Sequence, residues 1–324
     1  MKQLNTYKNE SFNMKPMATY KNESFNMKPM ATYKNESFNM KPMATYITEY
    51  IIKKKLDKPI DSEDHYDYYP ETKEELLKNI QELLNHGERN FNCIDTSKIT
   101  DMSELFKHEI FDKLIFDVSE WNVSNVTNME RMFLGCDNFD NNLSKWDVSN
   151  VTNMDRMFYG CRKFKGVGLG SWNVGNVENM SSMFKNCINF NGSLSNWNVS
   201  NVKFMNSMFY YCLLFDCNLS KWNVSKVKFF HEMFDNCENF KGKGVEKWNT
   251  ISAQDTAFMF YECVKFNADL SKWNVENIID MRFMFTGCKR FKGKGLENWD
   301  VTGKDIRGLL NDCYNINTPS WYNK

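Results

Sequence analysis

The chain has 324 residues, of which 42% are apolar and 15% aromatic, enough for a sizeable core, so wholesale disorder is excluded. Its 41 basic residues balance 41 acidic ones, so no global field draws it to nucleic acid or to an anionic membrane. No stretch approaches the roughly 18 apolar residues needed to cross a bilayer, and no apolar run follows Lys2, so neither membrane insertion nor a signal peptide is expected.

Residues 6–44 are three identical copies of a 13-residue unit, beginning at Thr6, Thr19 and Thr32, with Thr45 and Tyr46 opening a fourth. Each copy carries one proline (Pro16, Pro29, Pro42) among polar residues and follows neither the helical nor the strand period. That predicts a disordered tail over 1–46, with a repeated linear binding motif as the alternative. Residues 47–70 combine Lys53, Lys54 and Lys55 with Asp61, Glu63, Asp64 and three tyrosines, and are expected to be linker.

A capping helix and its connection are predicted over 71–93. Thr72 followed by Glu75 is a capping box, Leu76, Leu77, Ile80, Leu83 and Leu84 repeat at helical spacing, and Gly87 stands where a left-handed cap is wanted. Such a helix has an apolar face and no partner, as the lid of a repeat stack would.

The remainder, 94–324, is a repeat. Tryptophan recurs at 121, 146, 172, 197, 222, 248, 273 and 299, and cysteine at 136, 161, 187, 212, 237, 263, 288 and 313. The distance from Trp to Cys is 15 residues except in the last copy, where it is 14. Copies differ in length only before the next Trp, where the longer ones carry Gly166/Gly168, Gly242/Gly244 or Gly293/Gly295, an insertion that a bend can absorb. Ile94 to Phe106 aligns as an imperfect first copy, with Ile94 in the Trp place and Glu109 in the Cys place. In each copy Leu-x-x-Trp-x-Val suits a short strand and Met-x-x-Met-Phe-x-x-Cys a short helical segment. The expected fold is therefore an α/β repeat solenoid of leucine-rich-repeat type, about nine turns of 25–26 residues, each with one strand and one helical segment.

These motifs resemble the BspA-like leucine-rich-repeat surface proteins of bacteria, whose repeat reads Trp-Asn/Asp-Val-Ser-Asn-Val-Thr-Asn-Met, then Met-Phe and Cys. The resemblance spans about residues 70–313, including Pro70 to Leu76. It implies a solenoid displayed on cells that binds host or matrix proteins, with no catalytic residues to carry over. Two departures stand out: the family's exported members carry a signal peptide, and the tandem tail is foreign to the family pattern. Cell-surface location follows from the resemblance and cytoplasmic location from the missing signal.

Catalysis needs unlike groups converging at one place. The four histidines, His65, His86, His108 and His231, form no such pattern, and only His231 lies in a regular copy, so no catalytic residue, metal or cofactor is expected. The cysteines form no Cys-x-x-Cys pair; as a repeated core place they read as small buried hydrophobes, with inter-turn disulfides as the alternative. The abundant methionines read as packing filler. The expected function is non-enzymatic recognition of a protein or glycan, most plausibly adhesion, with an intracellular scaffold or a structural surface layer as alternatives. If the tryptophan segment is a strand, the residues flanking Trp face outward. That makes Lys145, Lys221, Lys247 and Lys272 before it, and Asn198, Asn223, Asn249 and Asn274 after it, the candidate ligand face. Lys221, Lys247 and Lys272, on three consecutive turns, would form a basic stripe, whereas the asparagine column reads first as an amide ladder knitting turns together.

Overall fold

The structure, a computed structural model, describes residues 66–322. The expected tail over 1–46 and most of the expected linker lie outside the described residues. The last linker residues belong to the stack: Tyr68 forms a parallel bridge with Ile94, and its phenol donates to Glu82 Oε1 at 3.1 Å.

Helix α1, Lys73–Asn85, starts at Thr72, whose hydroxyl accepts from the Glu75 amide at 3.2 Å. It ends with Gly87 at φ 83°, where the Gly87 and Glu88 amides donate back to Leu84 and Leu83. Leu76, Ile80, Leu83 and Leu84 are buried in the common core, while Leu77 is 40% exposed. The buried stripe is centred on Leu76, Ile80 and Leu83, which leaves Leu77 at its edge. On the polar side Lys73 Nζ reaches Ser103 Oγ at 2.8 Å and Asp101 at 3.7 Å, tying the helix to the first repeat.

The repeats form coils: coil 1 from Ile94, and coils 2 to 9 from Trp121, Trp146, Trp172, Trp197, Trp222, Trp248, Trp273 and Trp299. Each lies against the next in parallel register, with bridges linking Asp101, Asn128, Asn153, Asn179, Phe204, Phe229, Asp255, Asp280 and Asp305 in order. The expected strand and helix per turn are not what forms. The bridge falls seven residues after Trp in coils 2 to 8, and the described residues hold isolated bridges but no strand. Helical structure after α1 is confined to four three-residue 3₁₀ segments: Glu109–Phe111, Leu169–Ser171, Val245–Lys247 and Leu296–Asn298.

The backbone hydrogen bonds give the reason. In coil 2 the amides of Met129, Arg131, Phe133 and Gly135 donate across to Asn153, Asp155, Met157 and Tyr159 of coil 3. The amides of Met132, Leu134 and Cys136, alternating with them, donate three residues back within the coil, and that of Glu130 donates to Asn128 Oδ1. Half the donors are thus local and half cross the stack, so neither a helix nor a ladder can run on. The alternation requires a left-handed residue at the tenth and fourteenth places after Trp, such as Arg131 at φ 54° and Gly135 at φ 80°.

Side-chain columns complete the core. Successive tryptophans stack nearly parallel, for example Trp172 on Trp197 at 6.3 Å, and Phe133, Phe158, Phe184 and Phe209 stack at 5.4–5.7 Å. Each indole from Trp121 to Trp273 donates to a carbonyl 28–30 residues earlier, just before the previous coil begins. Trp321, which the sequence pattern does not reach because it follows Trp299 by 22 residues, joins the same column through Leu296 O at 2.8 Å. The eight repeat cysteines are free thiols, each donating to a phenylalanine carbonyl one coil back, as Cys212 does to Phe184 at 3.0 Å.

Candidate recognition face

The lysines singled out from the sequence are all exposed. They do not stand on a strand: the amide before each indole belongs to a turn, and Lys247 closes the 3₁₀ segment Val245–Lys247. Lys145 is engaged by Glu120 of the preceding coil and Lys221 by Asn196 Oδ1 at 2.8 Å, while Lys247 and Lys272 form no ion pair among the described residues. The asparagines after Trp do not link coils. Asn198, Asn223, Asn249 and Asn274 each accept the amide two residues on, closing a local Asx turn. The amide ladder between coils is carried four residues after Trp, by Asn125, Asn150, Asn176, Asn201 and Asn277.

A different surface gathers the chemistry. At the seventh place after Trp, where other coils carry Asn or Asp, coils 5 and 6 carry Phe204 and Phe229, half-buried and stacked at 5.9 Å. Two and three residues further on stand His231 and Glu232 in coil 6, then Phe258 and Phe283 in coils 7 and 8, stacked at 5.0 Å. His231 meets the Phe258 ring edge-on at 5.8 Å. The Phe283 ring lies over Gly308, where a Cβ would be 2.3 Å from it. At the thirteenth place coils 3 to 7 carry Tyr159, Lys185, Tyr210, Asp235 and Tyr261.

The charges on this face are organised around Glu232. Its carboxylate lies 3.3 Å from Lys185 Nζ and 3.5 Å from His231 Nε2, and Oε2 accepts from Ser207 Oγ at 2.9 Å. His231 Nδ1 lies 3.6 Å from Asp255. Burial opposes the imidazolium, but Asp255 and Glu232 outweigh it and raise the His231 pKa to about 9. The same contact with His231 holds Glu232 down to about 2 against the effect of burial. His231 is therefore a fixed cation at neutral pH and not a poised base, and the Ser207 hydroxyl is turned to the carboxylate instead of to the imidazole. Asp155 and Asp235 move the other way: burial lifts them to about 6 and about 7.

Nothing in the helical reading of Met-x-x-Met-Phe-x-x-Cys marks this surface. The available signal is variability: places seven, nine, ten and thirteen change chemistry from copy to copy while the Trp, Met-Phe and Cys places scarcely change. A separate open depression of about 640 Å³, lined by Asn267, Arg290, Lys292, Asn315 and Asn317, lies towards the last coils. Among the described residues no group of three His, Cys, Asp or Glu side chains is placed to hold a metal, and no helix is long and apolar enough to cross a membrane.

A family model described as "Mycoplasma protein of unknown function, DUF285" matches residues 75–168, 164–244 and 230–322, three tandem matches that follow the repeats. No curated protein and no solved structure matches the chain.

Proposed function

The chain belongs to the Mycoplasma protein family of unknown function DUF285, and we propose that it is a non-enzymatic recognition protein that holds a protein or glycan ligand on its coil surface. In this reading the stack is a leucine-rich-repeat-like solenoid of the BspA-like kind, and adhesion is its use. The observation that carries it is the contrast between columns. Core columns repeat Trp, Met, Phe and Cys, whereas the adjoining face carries aromatic rings outside the core, Phe204 on Phe229 and Phe258 on Phe283, beside fixed charges. Half-exposed aromatics beside fixed charges are the composition of recognition surfaces, where rings supply contact area and charges supply selectivity.

The test displays the full chain to arrays of proteins and glycans and follows each hit by titration. Saturable binding is expected, and it should weaken at least tenfold in Phe258→Asn/Phe283→Asn, because asparagine tolerates the left-handed backbone of both positions (φ 57° and 54°). Absence of saturable binding to any array member would overturn the reading. Binding that is indifferent to the double variant would remove this face from it.

A further inference from the structure

We infer that the place at Asp235, framed by Tyr210, Tyr211 and Tyr261, binds the lysine or arginine side chains of a basic polypeptide; this rests on the recognition reading above and names its partner class. The thirteenth-place column alternates tyrosine with charge: Tyr159, Lys185, Tyr210, Asp235, Tyr261. Its first half already holds a cation. Lys185 Nζ sits 3.9 Å from the centre of the Tyr210 ring and 3.3 Å from Glu232 Oε2, an ammonium between an aromatic face and a carboxylate.

The second half offers the same groups without the cation. Asp235 is only 5% exposed; Oδ1 accepts from Asn236 Nδ2 at 2.5 Å, and Oδ2 accepts no hydrogen bond and no ion pair among the described residues. Tyr210 and Tyr211 lie with rings 5.3 Å apart, and Tyr210 and Tyr261 both sense the Asp235 charge. Further along the stack Glu262 and Asp312 also lack ion pairs among the described residues, and both act on Tyr261 and Tyr314. The strip thus continues in coils 6, 7 and 9 as tyrosine and unpaired acid, with Thr286 and Gly287 between them in coil 8, although the whole chain is neutral.

A carboxylate held out of water without a counter-ion is destabilised, and an incoming cation relieves it. Burial, with Glu232 nearby, keeps the Asp235 pKa near 7 despite Lys185 and His231, which marks a carboxylate without an adequate cation. A single ammonium would use one place; the acids Asp235, Glu262 and Asp312 on coils 6, 7 and 9 match a chain bearing several basic residues.

The probe is a fluorescent twelve-residue Gly-Lys repeat peptide titrated into the full chain, with Gly-Gln and Gly-Glu peptides, a heparin oligosaccharide and a neutral maltooligosaccharide as the other arms. The Gly-Lys peptide is expected to bind, to weaken at least tenfold in Asp235→Asn and Tyr261→Ala, and to weaken with salt and as pH falls below 7. Lys185→Met, which empties the first place, should tighten the Gly-Lys peptide without adding an equivalent, because a second lysine of the same peptide can then take the Tyr210–Glu232 place. Equal binding to wild type and to an Asp235→Asn variant with unlowered melting temperature would overturn the proposal. Preference for heparin, maltooligosaccharide or Gly-Glu peptide, lost in Tyr261→Ala, would overturn the partner class and leave the recognition reading standing. Binding of no probe would overturn the partner class, and the array titrations then decide the broader reading.

Discussion

The indole N–H of Trp197 donates to the carbonyl oxygen of Leu169, 28 residues earlier, at 2.8 Å. The same bond recurs from Trp121 to Trp273 and ties each of these indoles to the adjoining level of the stack. Trp197→Phe keeps an aromatic ring in the column but deletes the donor and leaves a small cavity where the buried indole packed. The Leu169 oxygen still accepts the Trp172 amide, so the loss should be about 2–3 kcal/mol by urea unfolding of the full chain. Trp321→Phe, at the partly buried end of the column, should cost less. A larger effect at Trp321 than at Trp197 would contradict this account.

The cysteine column should be chemically silent in the folded protein. Burial pushes the thiols of Cys161, Cys212, Cys237, Cys263 and Cys288 well above the ordinary range, and that of Cys313 up to about 11. Cys93 and Cys217 are only half-buried. Iodoacetamide at pH 8, read by mass spectrometry, should label at most these two in the native chain and all ten after denaturation. Rapid native labelling of Cys212 would refute the buried ladder.

Backbone geometry makes two opposite forecasts. At Gly244, φ is 103° and an added Cβ would stand 2.2 Å from the Ser220 amide nitrogen of the previous coil, so Gly244→Ala should cost about 2–4 kcal/mol. Ser182 holds φ 54° although it is not glycine. Ser182→Gly should stabilise by up to about 1 kcal/mol, whereas Ser182→Val, β-branched in the left-handed region, should destabilise. Thermal melts of the three variants against wild type give the signs directly.

The ion network on the aromatic face predicts a pH dependence. His231 has its pKa raised from 6.5 to about 9, so its stabilising contribution is complete below about 6.5 and is lost as pH rises through 9. Glu232, lowered from 4.5 to about 2, contributes above about 4.5 and loses that contribution as pH falls through 2. Asp235, raised from 3.8 to about 7, acts in the reverse sense, its cost growing as pH rises from about 3.8 to about 7 and levelling off above that. The melting-temperature gap between wild type and His231→Gln should therefore be widest near pH 6 and close by about pH 10. A gap that widens with pH would show that His231 is not held as a cation.

How much of this was legible beforehand follows from what kind of property each feature is. The spacing of Trp, Met-Phe and Cys, the boundaries of α1 and the place of the Gly-x-Gly insertions are periodic facts, and periodicity is written in the chain. Stacking follows from them, because no single coil can cover its own tryptophan and phenylalanine columns. The backbone state of each coil is not periodic information. Val spacing after Trp fits a strand and Met spacing fits a helix, yet the amides of Met129 to Cys136 divide between local and inter-coil carbonyls, a choice available only once a neighbouring coil is present. The face is decided in the same way. Lys185, Tyr210, Glu232 and Asp235 are separated by up to 50 residues in sequence and share no motif. Stacking in register, with left-handed residues turning places ten and fourteen, is what brings an ammonium 3.9 Å above a tyrosine ring and leaves the next carboxylate in the column without one.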